Sequence, residues 1–279
     1  MIAPKQVVVA TDFSPASSAA VSFARRVAQI LKAKVTLLHI FQYVPKHRYK
    51  VPVEWMVEII RRDVRSRMKE AKSLLVQAGI DTEFMVLEDG IPAQQIISFT
   101  RGCDSPLLLM GTHAFGGMER FLLGSTAEEV LREAECPVIT VGPHVECGRE
   151  SHARVQNVLF ATDFSEHSLA AIPFMLVLQQ ACGAHVRVLH VSGDYVPGET
   201  ESKQFGPIRK ALQSIESAEY VTLQGANVSQ AVVNEAERYP ADLVVLGVRR
   251  APEAATHLAP KIAFQIIVAA PCPVLTVSS

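Results

Sequence analysis

One stretch of this 279-residue chain has the residue types and spacing to hold an anion. It reads GTHAFGGMERFLLGST: Gly111, then Ala114 three positions on, nine residues between, then Gly124, Ser125 and Thr126. Small residues let a backbone approach a phosphate chain, while the N–H groups and dipole at a helix start attract its charge. The Ser125 hydroxyl would add one more hydrogen bond, and His113 stands in the loop within reach of a phosphate. The same residues also read as structure alone. Ser125-x-x-Glu128 has the form of a capping box, which closes a helix without any ligand. On the motif alone the two readings are even.

Committed catalysis finds less support. No lysine follows a glycine in the G-x4-G-K-[ST] pattern, and no carboxylate pair is spaced to hold Mg²⁺ in the loop. No serine or carboxylate is spaced to make His113 a base, so no residue is assigned a catalytic or metal-binding role.

The elements that position this loop occur twice. VVVATDFS at residues 7–14 returns as VLFATDFS at residues 158–165, with six of eight positions identical. VTLLHI at 35–40 returns as VRVLHV at 186–191, and CPVITV at 136–141 as CPVLTV at 272–277. Val7 to Cys136 spans 129 positions and Val158 to Cys272 only 114, so the second copy is about 15 residues shorter. The loss must fall between the second strand and the region of Gln94 and Gln230. A polar stretch, GPHVECGRESHAR, lies between the copies and reads as a linker. The expected domains are residues 1–142 and 155–279, joined by 143–154.

Each copy alternates strand and helix. In the first, strands are expected at 7–10, 35–41, 82–87, 107–110 and 138–141. Ser14 followed by Pro15 marks the start of a helix reaching about Leu31. Further helices are expected at about 54–78, after Pro92, and at 126–134. The strands are nearly continuous apolar runs, as in strands covered by helices on both faces. Right-handed crossovers then give two tandem, doubly wound, Rossmann-like α/β domains with parallel sheets. Ligands in such sheets bind beyond the carboxyl ends of the strands, which singles out Thr11, Asp12, Ile40, Phe41 and everything after Met110.

With Asp12 in the turn after the first strand and Gly111-x2-Ala114-x9-Gly124-Ser125 after the fourth, the chain resembles the universal stress protein family, whose ATP-binding members carry G-x2-G-x9-G-[ST]. The LLHI and CPVITV segments and the second copy extend the resemblance over nearly the whole length, as a tandem member. It departs from the pattern at Ala114, which puts a methyl where the family has glycine. The resemblance implies a five-stranded parallel sheet in each copy, ATP or ADP/AMP bound in the first, with or without Mg²⁺, and pairing of the domains through their last strands. It places Asp12 by the ribose or adenine edge, Ala10 and Ile40 in the adenine pocket, and Met110, Gly111 and Ala114 beside the ribose and phosphates. Gly124, Ser125 and Thr126 would hold the phosphates. The expected function is stress-response regulation; a pure protein-interaction module and a slow ATP hydrolase are the alternatives.

The second copy departs further. Arg250 takes the place of the second glycine, and Pro260 and Lys261 replace Gly124 and Ser125. Proline removes a donor N–H, so a single nucleotide per chain is expected. Asp163 matches Asp12 and His190 matches His39, which points to a structural share in the roles of both pairs. The basic run from Arg61 to Lys69, interleaved with Asp63 and Glu70, reads as the solvated face of a helix. A net charge of −1 gives no pull towards nucleic acid or anionic membrane. Five cysteines without a CxxC pair, and no leader-like or membrane-spanning stretch, point to a cytoplasmic protein. Its expected partners are the nucleotide, a protein not identified by the sequence, and a second copy of the chain in a homodimer.

Overall fold

Val7, Val8 and Val9 are wholly buried, so the first strand, β1 (Gln6–Ala10), is covered on both faces. The computed structural model describes residues 3–42, 53–112, 123–145, 155–193, 203–213, 215, 218–249 and 261–279. The first half continues with α1 (Pro15–Leu31), β2 (Lys34–Phe41), α2 (Val53–Gln77), β3 (Thr82–Glu88), α3 (Pro92–Arg101), β4 (Pro106–Gly111), α4 (Ser125–Glu133) and β5 (Val138–Val141). The second has β6 (Asn157–Ala161), α5 (Glu166–Leu169), α6 (Ile172–Cys182), β7 (His185–Ser192), α7 (Gly206–Ala211), β8 (Ala218–Gln224), α8 (Val228–Arg238), β9 (Leu243–Val248), α9 (Lys261–Ala269) and β10 (Val274–Ser278).

Local chemistry explains the main boundaries. Ser14 caps α1 by accepting the Ser17 N–H, and Pro15 fills the first turn, where its missing donor costs nothing. The small buried residues Ala20, Ala24 and Ala28 bring α1 close to the sheet. In the second half the equivalent helix is broken into α5 and α6. Pro173 sits in the first turn of α6, where a continuous helix would need the N–H that proline lacks. The 15-residue deficit falls in the crossover between the second and third strands. There the 25 residues of α2 are answered, among the described residues, by the six of α7.

The ten strands of the described residues join one sheet in the order β3-β2-β1-β4-β5-β10-β9-β6-β7-β8. Neighbours within each half are parallel, and each half contributes five of these strands. The halves meet through β5 and β10, which pair antiparallel with Ile139 opposite Leu275. Two buried threonines bond across this seam with matching geometry: Thr140 Oγ1 donates to the Val274 carbonyl and Thr276 Oγ1 to the Val138 carbonyl, each at 3.2 Å. Two apolar cores lie on opposite faces of the sheet, and each runs through both halves. The solvated-face reading of the basic run holds on α2: Arg61 pairs with Glu88, Arg62 with Glu58 and Arg67 with Asp63.

Cutting the chain within residues 146–154 should therefore leave two fragments that migrate together. Size-exclusion chromatography of the nicked protein checks this, and elution as two separate monomers would contradict the seam.

Candidate functional site

Where β1 ends, a tight turn carries the first candidate residues. The Thr11 N–H donates to the Leu38 carbonyl at 2.9 Å, and beyond it the chain leaves β2. The next in-plane backbone groups on that side of β2 belong to Ile40, beside the space that β1 has vacated. Phe13 takes a left-handed backbone, φ 63°, and its N–H donates to Thr11 Oγ1 at 3.1 Å. Thr11 Oγ1 donates in turn to Ser17 Oγ at 3.1 Å. Asp12 Oδ1 accepts the Ser14 N–H at 2.9 Å, so this carboxylate orders the turn as well as lining the site.

His39 holds the turn from below. Its Nδ1 donates to the Thr11 carbonyl at 2.7 Å, which fixes the tautomer, and its ring packs on Phe13 at 4.6 Å. The second half repeats the arrangement: His190 Nδ1 donates to the Thr162 carbonyl at 2.9 Å, Phe164 has φ 62°, and Asp163 accepts the Ser165 N–H. The histidines thus share one structural role in both halves. Burial pushes the His39 pKa below its ordinary value, opposed by the bond to Thr11 and the charge of Asp12.

Above this turn lies a cavity of about 300 Å³ at the carboxyl ends of β1, β2 and β4. In the strand order 3-2-1-4-5 this is the point beside β1 where the crossovers diverge, the usual ligand crevice of doubly wound sheets. Ala10, Thr11, Asp12, Ile40, Met110, Gly111, Gly124, Ser125 and Thr126 line it together. His113 and Ala114 lie outside the described residues. The cavity also takes in Thr112 and Ala127, within the region after Met110, and Ser17, Gln42, Pro92 and Ile96, which the sequence reading missed. These four come from α1, α3 and the residue after β2, and no motif in the sequence ties them to the loop after β4.

The capping-box reading of Ser125 is corrected. The N-cap of α4 is Gly124, with φ −64° and ψ 144°, and no side chain caps this end among the described residues. Ser125 is already the first helical residue. Glu128, one position too far along for the box, pairs with Arg132 at 2.8 Å. Among the described residues the first-turn N–H groups therefore have no hydroxyl or carboxylate cap, which favours an anion there.

Two glycines have reasons in packing. A Cβ on Gly111 would lie 2.7 Å from backbone atoms of Ala16 and Ser17, at the start of α1. Gly247, its counterpart, faces the backbone of His167 and Ser168 in the same way. The first glycine of the motif thus lets the first helix approach the fourth strand, whether or not a ligand is bound. Gly124 donates its N–H to the Thr112 carbonyl at 2.8 Å, and a Cβ there would stand 3.0 Å from that oxygen.

Cys103, Cys136, Cys182 and Cys272 are free thiols. Burial pushes Cys136 up to about 11 and Cys272 up to about 12, so both are inert at neutral pH. Among the described residues no three His, Cys, Asp or Glu gather as a metal site, and no helix is long and apolar enough to cross a membrane.

The fold and the cavity define a class: tandem parallel α/β domains with a crevice at the switch point of the first sheet. The family within that class follows from comparison with known proteins. The universal stress protein family model matches residues 4–142 and again 154–278, and the chain belongs to that family. A universal stress protein of Methanocaldococcus jannaschii is 31% identical over 139 residues, 49% of this chain and 81% of that protein. One from Thermus aquaticus is 28% identical over 137 residues, 49% of this chain and 98% of that protein. The crystal structure of a universal stress protein from Archaeoglobus fulgidus superposes with a TM-score of 0.79 at 18% identity, covering 99% of each chain.

Gly111→Ala and Gly247→Ala should each destabilise the protein by about 1–3 kcal/mol, since backbone must move to admit the methyl. Equilibrium urea unfolding without ligand checks both, and an unchanged midpoint would refute the packing role. His39 gives a pH signature. Its folded pKa lies below the unfolded value of 6.5, so the unfolded chain takes up the proton first. Stability should be full above about pH 6.5 and decline as pH falls from there towards the lowered folded pKa. His39→Gln should flatten that decline when unfolding midpoints are compared between about pH 7.5 and about pH 5.5.

Proposed function

We propose that this protein is a cytoplasmic stress-response regulator that binds one adenine nucleotide per chain, ATP or its di- or monophosphate, in its N-terminal half. The observation that carries this reading is the convergence of chain segments on one cavity. Ala10 and Asp12, Ile40, Met110 and Gly111, and Gly124 to Thr126 are far apart in sequence, yet all line it beside the start of α4. Its chemistry is graded as a nucleotide requires. Ala10, Ile40, Met110 and Ile96 offer an apolar wall for a base, and the start of α4 offers N–H groups and a positive dipole end for phosphates.

Asp12 spends one oxygen on the turn, and a carboxylate retains acceptor capacity for a ribose hydroxyl. Ser125 and Thr126 would add hydroxyl donors to the phosphates, with His113 and Ala114 in the loop before them. A magnesium ion, if it accompanies the nucleotide, would be held chiefly by phosphate oxygens and water, with Asp12 the nearby acid. The second half keeps the turn and its histidine but has Pro260 and Lys261 in place of Gly124 and Ser125. That difference supports the restriction to one half. The paired halves act as a built-in dimer, and a further association of two chains is part of the proposal.

Calorimetric titration with ATP should give a stoichiometry near one per chain; a value near two, or no heat at all, would overturn the assignment. Ser125→Asp separates binding from folding. A negative charge in the first turn favours the helix dipole, so unliganded stability should hold or rise slightly. The same charge repels phosphate, and ATP affinity should fall by at least about tenfold.

A further inference from the structure

Gln42 lies two residues past Ile40, following the strand face on which Leu38 and Ile40 pack, and it lines the cavity. Its Nε2 donates to the Gly90 carbonyl at 2.8 Å. A carbonyl only accepts, so this bond settles the orientation of the amide. One of the two Nε2 hydrogens is taken by Gly90, and Oε1, bonded to none of the described residues, is the acceptor left for a ligand.

The acceptor is itself firmly placed. Asp89 and Gly90 are both left-handed, with φ 66° and 91°, and the Asp89 N–H donates to the Phe41 carbonyl at 3.1 Å. Pro92 begins α3 directly afterwards and lines the same cavity. In the second half the backbone link recurs, with the Gly225 N–H donating to the Ser192 carbonyl at 3.0 Å. The side-chain bridge does not. Gly193 stands for Gln42, Ala226 for Gly90 and Val228 for Pro92. The glutamine bridge thus belongs to the half that carries Gly124 and Ser125.

We propose that Gln42 is a specificity-determining residue that reads the base of the bound nucleotide. Its Oε1 accepts a hydrogen bond from the exocyclic amino group of an adenine seated against Ala10, Ile40 and Met110. A purine with a keto group at that edge sets oxygen against oxygen and is disfavoured. This assignment rests on the nucleotide reading given above and adds the means by which the site tells one base from another.

The experiment titrates the full chain and its Gln42→Leu variant with two ligands, ATP and purine riboside triphosphate. The analogue carries hydrogen where adenine carries its amino group. The unmodified protein should prefer ATP by about tenfold or more, and the variant should lose about fivefold to tenfold for ATP but little for the analogue. Gln42 is exposed, so the substitution should leave the fold intact, which thermal unfolding without ligand checks. If the variant weakens both ligands equally, Gln42 only props the loop after β3, and base reading is overturned while nucleotide binding stands. Unchanged affinity for both ligands overturns it equally. If the unmodified protein binds neither, the nucleotide reading itself falls, and this assignment with it.

Discussion

The last strand of each half is almost wholly buried and mostly apolar, yet inside its own half it has a neighbour on one side alone. A bare apolar edge invites aggregation and has to be covered. Here each half covers the other, and the rest of the architecture follows from that seam. Antiparallel pairing of β5 with β10 turns two five-stranded sheets into one and makes each core continuous from half to half. The reciprocal threonine bonds at Val138 and Val274 fix the register, because a slip of one residue would turn both hydroxyls to the wrong face. The linker joins the halves covalently; the seam joins them physically.

Within this frame the duplication separates what a fold needs from what a ligand needs. Features kept in both halves are scaffold: the left-handed phenylalanine, the histidine bonded to the preceding threonine carbonyl, the aspartate-ordered turn, and the glycine that admits the first helix. Features found in the first half alone cluster on one cavity. They are the Gly124–Ser125 start of α4, Gln42 bridged to Gly90, and Pro92. A residue can belong to both sets. Asp12 ties its turn as Asp163 does, and it also faces a cavity bounded by α4.

Much of this was legible in the amino-acid sequence, for identifiable reasons. Continuous apolar runs give buried parallel strands, and the observed β5 coincides with the expected 138–141. Ser14 and Pro15 announce the start of α1 because capping and proline geometry are local chemistry. The repeat itself, the missing 15 residues and nine of the lining residues were readable because they lie in short contiguous motifs.

Tertiary structure decided the rest, wherever a role depends on a neighbour distant in the chain. Ser125 looks like a helix cap by spacing, but Gly124, its N–H bonded to the Thr112 carbonyl, takes the N-cap place, and the helix starts one residue earlier than the box requires. Gly111 looks like part of an anion loop, but only the packing of α1 against β4 shows that no side chain fits there. Gln42, Pro92 and Ile96 carry no motif at all; the crossover from β2 through β3 brings them to the mouth of β1. By itself the sequence determined the elements, their repetition and the chemistry of one loop, since each arises from residues adjacent along the chain. Which residues share the cavity, and which glycines answer to packing, were decided only when the crossovers brought distant segments into contact.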